Sequence, residues 1–232
     1  MQRITQMTVI PDVLPNIDPT VSTALTFPAG GNKVKRIQHG DFVDSLISEA
    51  PPTFWVQPYN KGTRLVTIAV VNPDVPNVEK DAFDYRCHFL AANIPISPTD
   101  TRIQLGKLDE HSQIILPWLP AYAQKGAPYQ RMSIFVLEQP ASDTSGAAAS
   151  QTLPVARVKE AGRYTQRLDF NLRSFIDRHQ LKPVGVDLFR TVWDENTAGV
   201  MQRAGVVGWD MEFKRKRIEP LPYKRRATER YR

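Results

Sequence analysis

Two apolar runs on either side of a proline-bearing polar stretch constrain this chain more than any other feature. Leu65 to Val71 is a β-branched apolar run, and a second begins at Phe89 and continues to Ala92. Both read as strands. Between them lies Asn72-Pro73-Asp74-Val75-Pro76. Proline has no N–H to give a sheet ladder, so the spacing predicts a strand that stops at Asn72, a rigid loop and a second strand. Asp74 and His88 then fall near strand ends, where a polar side chain can face a pocket without being buried in a core.

The 232 residues fit one large domain or two small ones, and 41% hydrophobic against 23% charged residues is an ordinary globular composition. Nineteen prolines against twelve glycines imply many stiff loops. The single cysteine, Cys87, excludes an internal disulfide framework, suits a reducing compartment and reads as a strand residue. No stretch reaches the roughly 20 apolar residues of a spanning helix, which predicts no membrane insertion. The first seven residues show neither a signal-peptide core nor an amphipathic presequence.

Along the chain, Thr8-Val9-Ile10 and Val21 to Phe27 are β-prone, and Pro11, Pro15, Pro19 and Pro28 forbid a regular helix there. Residues 39 to 60, with the Phe54-Trp55-Val56 patch, read as a wrap around a sheet edge. Ile103 to Leu105 and Ile114 to Leu116 read as short strands flanking a turn at Asp109-Glu110-His111. That acidic and histidine cluster lacks a further ligand at a closing spacing, so no metal is expected. Met132 to Leu137 reads as a central strand, Ala141 to Thr152 as a low-complexity surface loop. Asn171 caps a predicted helix on which Leu172, Phe175, Ile176 and His179 share a face, ending by Pro183. Pro183 to Phe189 returns as a strand, and a last helix runs from about Asp194 to Gly205. Strands dominate and helices come late, which makes the class mostly β with C-terminal helices.

The sequence contains no GxSxG elbow, HExxH, paired CxxC or phosphate-binding glycine loop, so no enzyme activity, cofactor or catalytic residue is assigned. His39, His88, His111 and His179 are far apart, and a lone histidine beside an apolar strand is more often a bonded core residue than a ligand. The C-terminus differs in kind. Lys214, Arg215, Lys216, Arg217, Lys224, Arg225, Arg226, Arg230 and Arg232 face only Glu219 and Glu229, a local charge of +7 in a chain of net +6. Trp209, Phe213, Tyr223 and Tyr231 are interleaved with these cations, and Pro220 and Pro222 keep the segment extended. A solvated tail, an RNA-binding segment, an anionic membrane surface and an acidic protein partner all remain compatible with that pattern.

Three stretches together resemble the phosphatidylethanolamine-binding protein (PEBP) family. Asn72-Pro73-Asp74-Val75-Pro76 is similar to its Asp-Pro-Asp-Ala-Pro signature. His88-Phe89-Leu90-Ala91-Ala92-Asn93 is similar to its histidine strand, and Pro128-Tyr129-Gln130-Arg131-Met132 stands where the family has Gly-x-His-Arg-Tyr. The resemblance spans about residues 9 to 205. It implies a large antiparallel sheet packed with a smaller one, C-terminal helices and a small anion pocket. The implied domain is 1–205, with an N-terminal wrap over 1–60 and a basic aromatic tail over 206–232.

Of the four positions that line the family's pocket, only His88 is kept; the others read Asn72, Gln130 and Met132. Met132 offers no donor and Gln130 cannot become cationic. Hydrogen bonds to a charged group contribute about 1.5 to 3 kcal/mol each, so losing two costs on the order of 100 to 10,000-fold in affinity. The resemblance therefore implies a vestigial ligand pocket at Asn72, Asp74, Pro76, His88, Gln130, Arg131 and Met132; Arg131 either compensates in part for the lost donors or, as expected here, pairs with Asp74 to hold the loop together.

The chain is most similar to the family's divergent branch in the mitochondrial large ribosomal subunit. That likeness implies a structural constituent in the mitochondrial matrix, bound to mitochondrial rRNA and to other large-subunit proteins of the central protuberance. It implies no small-molecule substrate. The implied RNA contacts are Lys214, Arg215, Lys216, Arg217, Tyr223, Lys224, Arg225, Arg226, Arg230, Tyr231 and Arg232. The alternative is a soluble PEBP-like module for phospholipid head groups, or a kinase or protease regulator.

Overall fold

A computed structural model describes residues 1–30, 33–59, 61–141 and 150–213. Its first half contains α1 (Gln2–Gln6), α2 (Val9–Asp12), β1 (Val21–Pro28), β2 (Val34–Ile37), α3 (Ser45–Ser48), β3 (Thr53–Pro58), β4 (Arg64–Asn77), β5 (Ala82–Ile96), β6 (Arg102–Gln104) and β7 (Ile114–Leu116). There follow β8 (Gln130–Glu138), α4 (Val155–Glu160), α5 (Leu172–His179), β9 (Lys182–Thr191) and α6 (Thr197–Arg203). The strands form an antiparallel five-stranded sheet ordered β7-β5-β4-β8-β9 and an antiparallel four-stranded sheet ordered β2-β1-β3-β6.

The large sheet is covered on both faces, which explains its near-continuous apolar strands. One face packs Val66, Ile68, Val70, Phe89, Ile134 and Val136 against Leu25, Phe27, Phe54 and Val56 of the small sheet. Residues of opposite parity, including Ala69, Val71, Leu90, Phe135 and Leu137, pack beneath Ile4, Val9, Val155, Phe170 and Phe175. Cys87 lies on β5 in that second core, where burial pushes its thiol up to about 12 and leaves it inert.

The mostly β class with late helices is observed. Asn171 caps α5 by accepting the Ser174 N–H at 2.8 Å, and Gly205 ends the segment after α6 with φ +68°.

Several sequence expectations are corrected. The prolines do not end the first strand: β4 runs through Pro73 and Pro76 to Asn77. Pro73 and Asp74 form a bulge between the Asn72–Arg86 and Val75–Asp84 pairs. The β8 pairing reaches only Val71, so both prolines lie where one edge of β4 has no ladder to lose. Thr53–Pro58 is a central strand of the small sheet, not an edge wrap, because Phe54, Val56 and Pro58 alternate inward. Thr8 to Ile10 is no strand; Val9–Asp12 is a kinked helical turn. Leu105 leaves β6 for a turn of 3₁₀-helix. α4 has no sequence signal of its own, since six residues give too little periodicity. Residues 142–149 of the low-complexity loop over 141–152, and residues 214–232 of the basic aromatic tail over 206–232, lie outside the described residues.

Candidate functional site

The bulge positions the site. Beyond Val71 the β4–β8 ladder stops, and side chains take over its stitching. Asn72, fully buried, donates to Gln130 Oε1 at 2.8 Å and accepts the Asp74 N–H at 2.9 Å. Gln130, also fully buried, donates to the Asp74 carbonyl at 3.0 Å and to Gln124 Oε1 at 2.9 Å. Two neutral amides thus occupy each other's hydrogen-bonding capacity in the space between strands.

On the neighbouring position of β8, Arg131 meets Asp74. Its Nη2 donates to Asp74 Oδ1 at 2.6 Å and its Nε to Oδ2 at 2.9 Å, a bidentate pair reinforced by its backbone N–H at 2.8 Å. Nη1 turns to the N-terminus and binds the Met7 carbonyl, Thr8 Oγ1 and Asp12 Oδ2 at 2.7, 2.7 and 2.9 Å. Burial opposes the charge, but the Asp74 and Asp12 carboxylates outweigh it and hold the guanidinium cationic. Thr8, held by this clamp, has φ +52°, an unusual conformation for a β-branched residue. Arg131 is therefore committed to joining β4, β8 and the N-terminal helices.

His88 lies elsewhere in the same region. It is fully buried, with Nδ1 near the Leu119 and Pro120 carbonyls at 3.2 and 3.1 Å and its ring against Tyr122. Burial, aided by Arg86 and Arg167, pushes its imidazole down to about 3 and keeps it neutral. His88 Nε2 and the Tyr122 hydroxyl are buried with no hydrogen-bond partner among the described residues. Met132 is wholly in the core between the sheets, and Pro76 is half-buried opposite Phe83 in the β4–β5 ladder. The structure thus joins Asn72, Asp74, Gln130 and Arg131 through hydrogen bonds, while His88 makes its own contacts to 119–122. The predicted RNA-contact residues from Lys214 to Arg232 lie outside the described residues.

Sequence reading missed Tyr122, Gln124, Arg86 and Arg167. Arg86 stacks over the Tyr122 ring at 5.5 Å, and desolvation pulls it down to about 10. Arg167 donates to the Cys87, His88 and Pro117 carbonyls at 3.2, 3.1 and 2.8 Å. The one available signal was the proline-punctuated run Pro117-Trp118-Leu119-Pro120, which marks a built loop rather than a linker. Residues 206–213 return to this side of the molecule. The Phe213 N–H donates to the Lys125 carbonyl at 2.8 Å, and Lys125 Nζ lies 3.6 Å from the Glu212 carboxylate.

A two-sheet antiparallel body with a bulged Asn-Pro-Asp strand, a buried histidine strand and a Gln-Arg-Met strand start has the fold of the phosphatidylethanolamine-binding proteins. The chain belongs to the phosphatidylethanolamine-binding protein family, whose model matches residues 26–182. It is 27% identical over 224 residues to the large ribosomal subunit protein mL38 of Schizosaccharomyces pombe, a match covering 96% of this chain and 65% of that protein. The chain thus spans less than two thirds of that relative's length. Among solved structures, the phosphatidylethanolamine-binding protein of Plasmodium vivax aligns with a TM-score of 0.58 at 17% identity, over 83% of this chain and 97% of its own. A carboxypeptidase Y inhibitor complexed with its cognate proteinase aligns with a TM-score of 0.58 at 14% identity, over 83% and 94%. At these identities the two structures show the fold alone.

Proposed function

We propose that this protein is a structural constituent of the large subunit of the mitochondrial ribosome, where a PEBP-fold body serves as a packing block. The observation that carries the reading is the likeness to a large ribosomal subunit protein over 96% of the chain, which extends beyond the family model's limit at residue 182. The site geometry supports it. Asn72, Gln130 and Gln124 satisfy one another, and Arg131 is engaged by Asp74 and the N-terminal segment, which leaves none of these groups aimed at a ligand. The pocket is accordingly read as vestigial and no catalytic step is assigned. Lys214 to Arg232 supply the RNA contacts, mostly to phosphate, and the partners are mitochondrial rRNA and neighbouring proteins of the central protuberance.

Sucrose-gradient sedimentation of an organelle lysate at moderate salt tests the reading. Comigration with the large subunit supports it; a protein confined to the top of the gradient overturns it. One observation favours the runner-up, a small-ligand binding module: His88 Nε2 and the Tyr122 hydroxyl are both buried and have no partner among the described residues. A free protein that binds phosphorylated head groups, and loses them on His88→Asn, would establish that module instead.

A further inference from the structure

The outward face of the four-stranded sheet carries an arrangement that the pocket region does not use. Strand pairing places Thr26, Trp55, Gln57 and Arg102 on one side, opposite the inward Leu25, Phe27, Phe54 and Val56. Trp55 stands in mid-sheet and is 38% exposed, unusual for so large an apolar ring. Arg102, directly opposite it on β6, holds its guanidinium 5.6 Å from the indole centroid. On the other side Arg36 of β2 pairs with Thr26, whose hydroxyl lies 3.4 Å from the indole Nε1. Tyr59, 70% exposed, extends the aromatic surface past the end of β3 and meets Ser22 Oγ at 2.5 Å.

Two grooves of about 470 Å³ each cross this face and share Thr23, Ala24 and Arg36. One contains Trp55 and Gln57; the other continues to Arg3 and His39. No carboxylate lines either groove among the described residues. Three acids of the surrounding loops are engaged: Asp187 bonds His39 at 2.6 Å, Asp41 accepts the Gln38 N–H at 2.8 Å, and Asp44 lies 3.9 Å from Lys35.

We infer that this sheet face is a second RNA surface, one that binds a single-stranded segment by stacking a base on Trp55 while Arg36 and Arg102 take the flanking phosphates. An exposed ring on an open antiparallel sheet, with cations to either side and hydroxyl and amide groups between, matches what an unpaired nucleotide offers: a π-face, hydrogen-bonding edges and a phosphate. An acidic peptide would satisfy the cations but leave the ring without a stacking partner. A duplex offers no free base. The inference deepens the proposed ribosomal role by locating an RNA contact on the body, independent of the basic tail.

The test uses the full chain with a mixed-sequence single-stranded RNA 12-mer containing 4-thiouridine. Binding is measured together with photo-crosslink mapping by mass spectrometry. Crosslinks within Thr53–Gln57, and a roughly tenfold loss of affinity in Trp55→Ala when the nine tail cations are replaced by glutamine, establish the surface. The Arg36→Gln, Arg102→Gln double variant changes only exposed side chains, preserves the fold, and should weaken binding similarly. Crosslinks confined to 214–232 with both variants unaffected overturn this inference and leave the ribosomal reading standing. Comigration with the ribosome combined with no RNA binding by the full chain also overturns it. Tighter binding of a polyglutamate peptide than of RNA, lost in the same variants, overturns it in favour of an acidic protein partner.

Discussion

Asp74 and Arg131 form a bidentate ion pair, 2.6 Å at its shortest, at the point where the β4–β8 ladder ends, and both side chains are mostly buried. Removing one partner from such a pair strands a charge, which costs about 3 to 5 kcal/mol. Arg131→Ala should therefore lower the urea midpoint sharply. Arg131→Lys should recover only part of the loss, because one ammonium cannot span Asp74 and Asp12 together. An unchanged midpoint with altered ligand binding would show that Arg131 belongs to a binding site instead.

His88 makes stability fall in acid. Its imidazole is held near 3 by burial, against an ordinary 6.5 in the unfolded chain. The unfolded state thus takes up a proton that the folded state refuses. The stabilisation is complete above about 6.5 and is lost as pH falls towards 3, at about 1.4 kcal/mol per pH unit. Denaturation of wild type and His88→Asn across this window should show the variant's slope shallower by about one proton. Parallel slopes would mean that the buried ring is accessible to protons.

His39 runs the other way. The hydrogen bond that its ring N–H donates to the Asp187 carboxylate raises its pKa, so its contribution is present below about 6.5 and fades as pH rises through the raised value. An NMR titration should place His39 above 6.5, and Asp187→Asn should bring it down. The side chain is about half exposed, so the effect on global stability is small.

Gly126 admits the C-terminal segment. It adopts φ +93°, and a Cβ there would collide with the Phe213 carbonyl. Gly126→Ala should displace residues 206–213 from Lys125, which hydrogen exchange at the Phe213 amide would report as faster exchange while β4 and β8 stay protected.

The proposed RNA contact of Lys214 to Arg232 is electrostatic. With about five phosphates neutralised, the logarithm of affinity for single-stranded RNA should fall against log salt with a slope of roughly −3.5. Deleting Lys214 to Arg232 should flatten that slope without unfolding the body. A salt-independent interaction would rule the tail out as the contact.

The sequence by itself determined the core strands of the large sheet, the α5 cap and the family. Continuous β-branched runs such as Leu65 to Val71, and an asparagine three residues before Ser174, are local signals that survive in any tertiary setting. The pairing of Arg131 with Asp74 was an expectation from the two signatures, and the structure shows it, with Asp12 as a second carboxylate that the sequence did not point to. Only the tertiary structure decided the rest. Pro73 and Pro76 read locally as a strand end, but β4 passes through them because β8 has already departed and no ladder bond is missing. Phe54-Trp55-Val56 read locally as an apolar wrap, whereas its alternation acquires meaning only when β1 and β6 flank it and leave Trp55 facing outward. Tyr122 and Arg167 carried no local pattern, since their contacts to His88, across 34 and 79 residues of chain, are set by how layers stack, not by the order of neighbours.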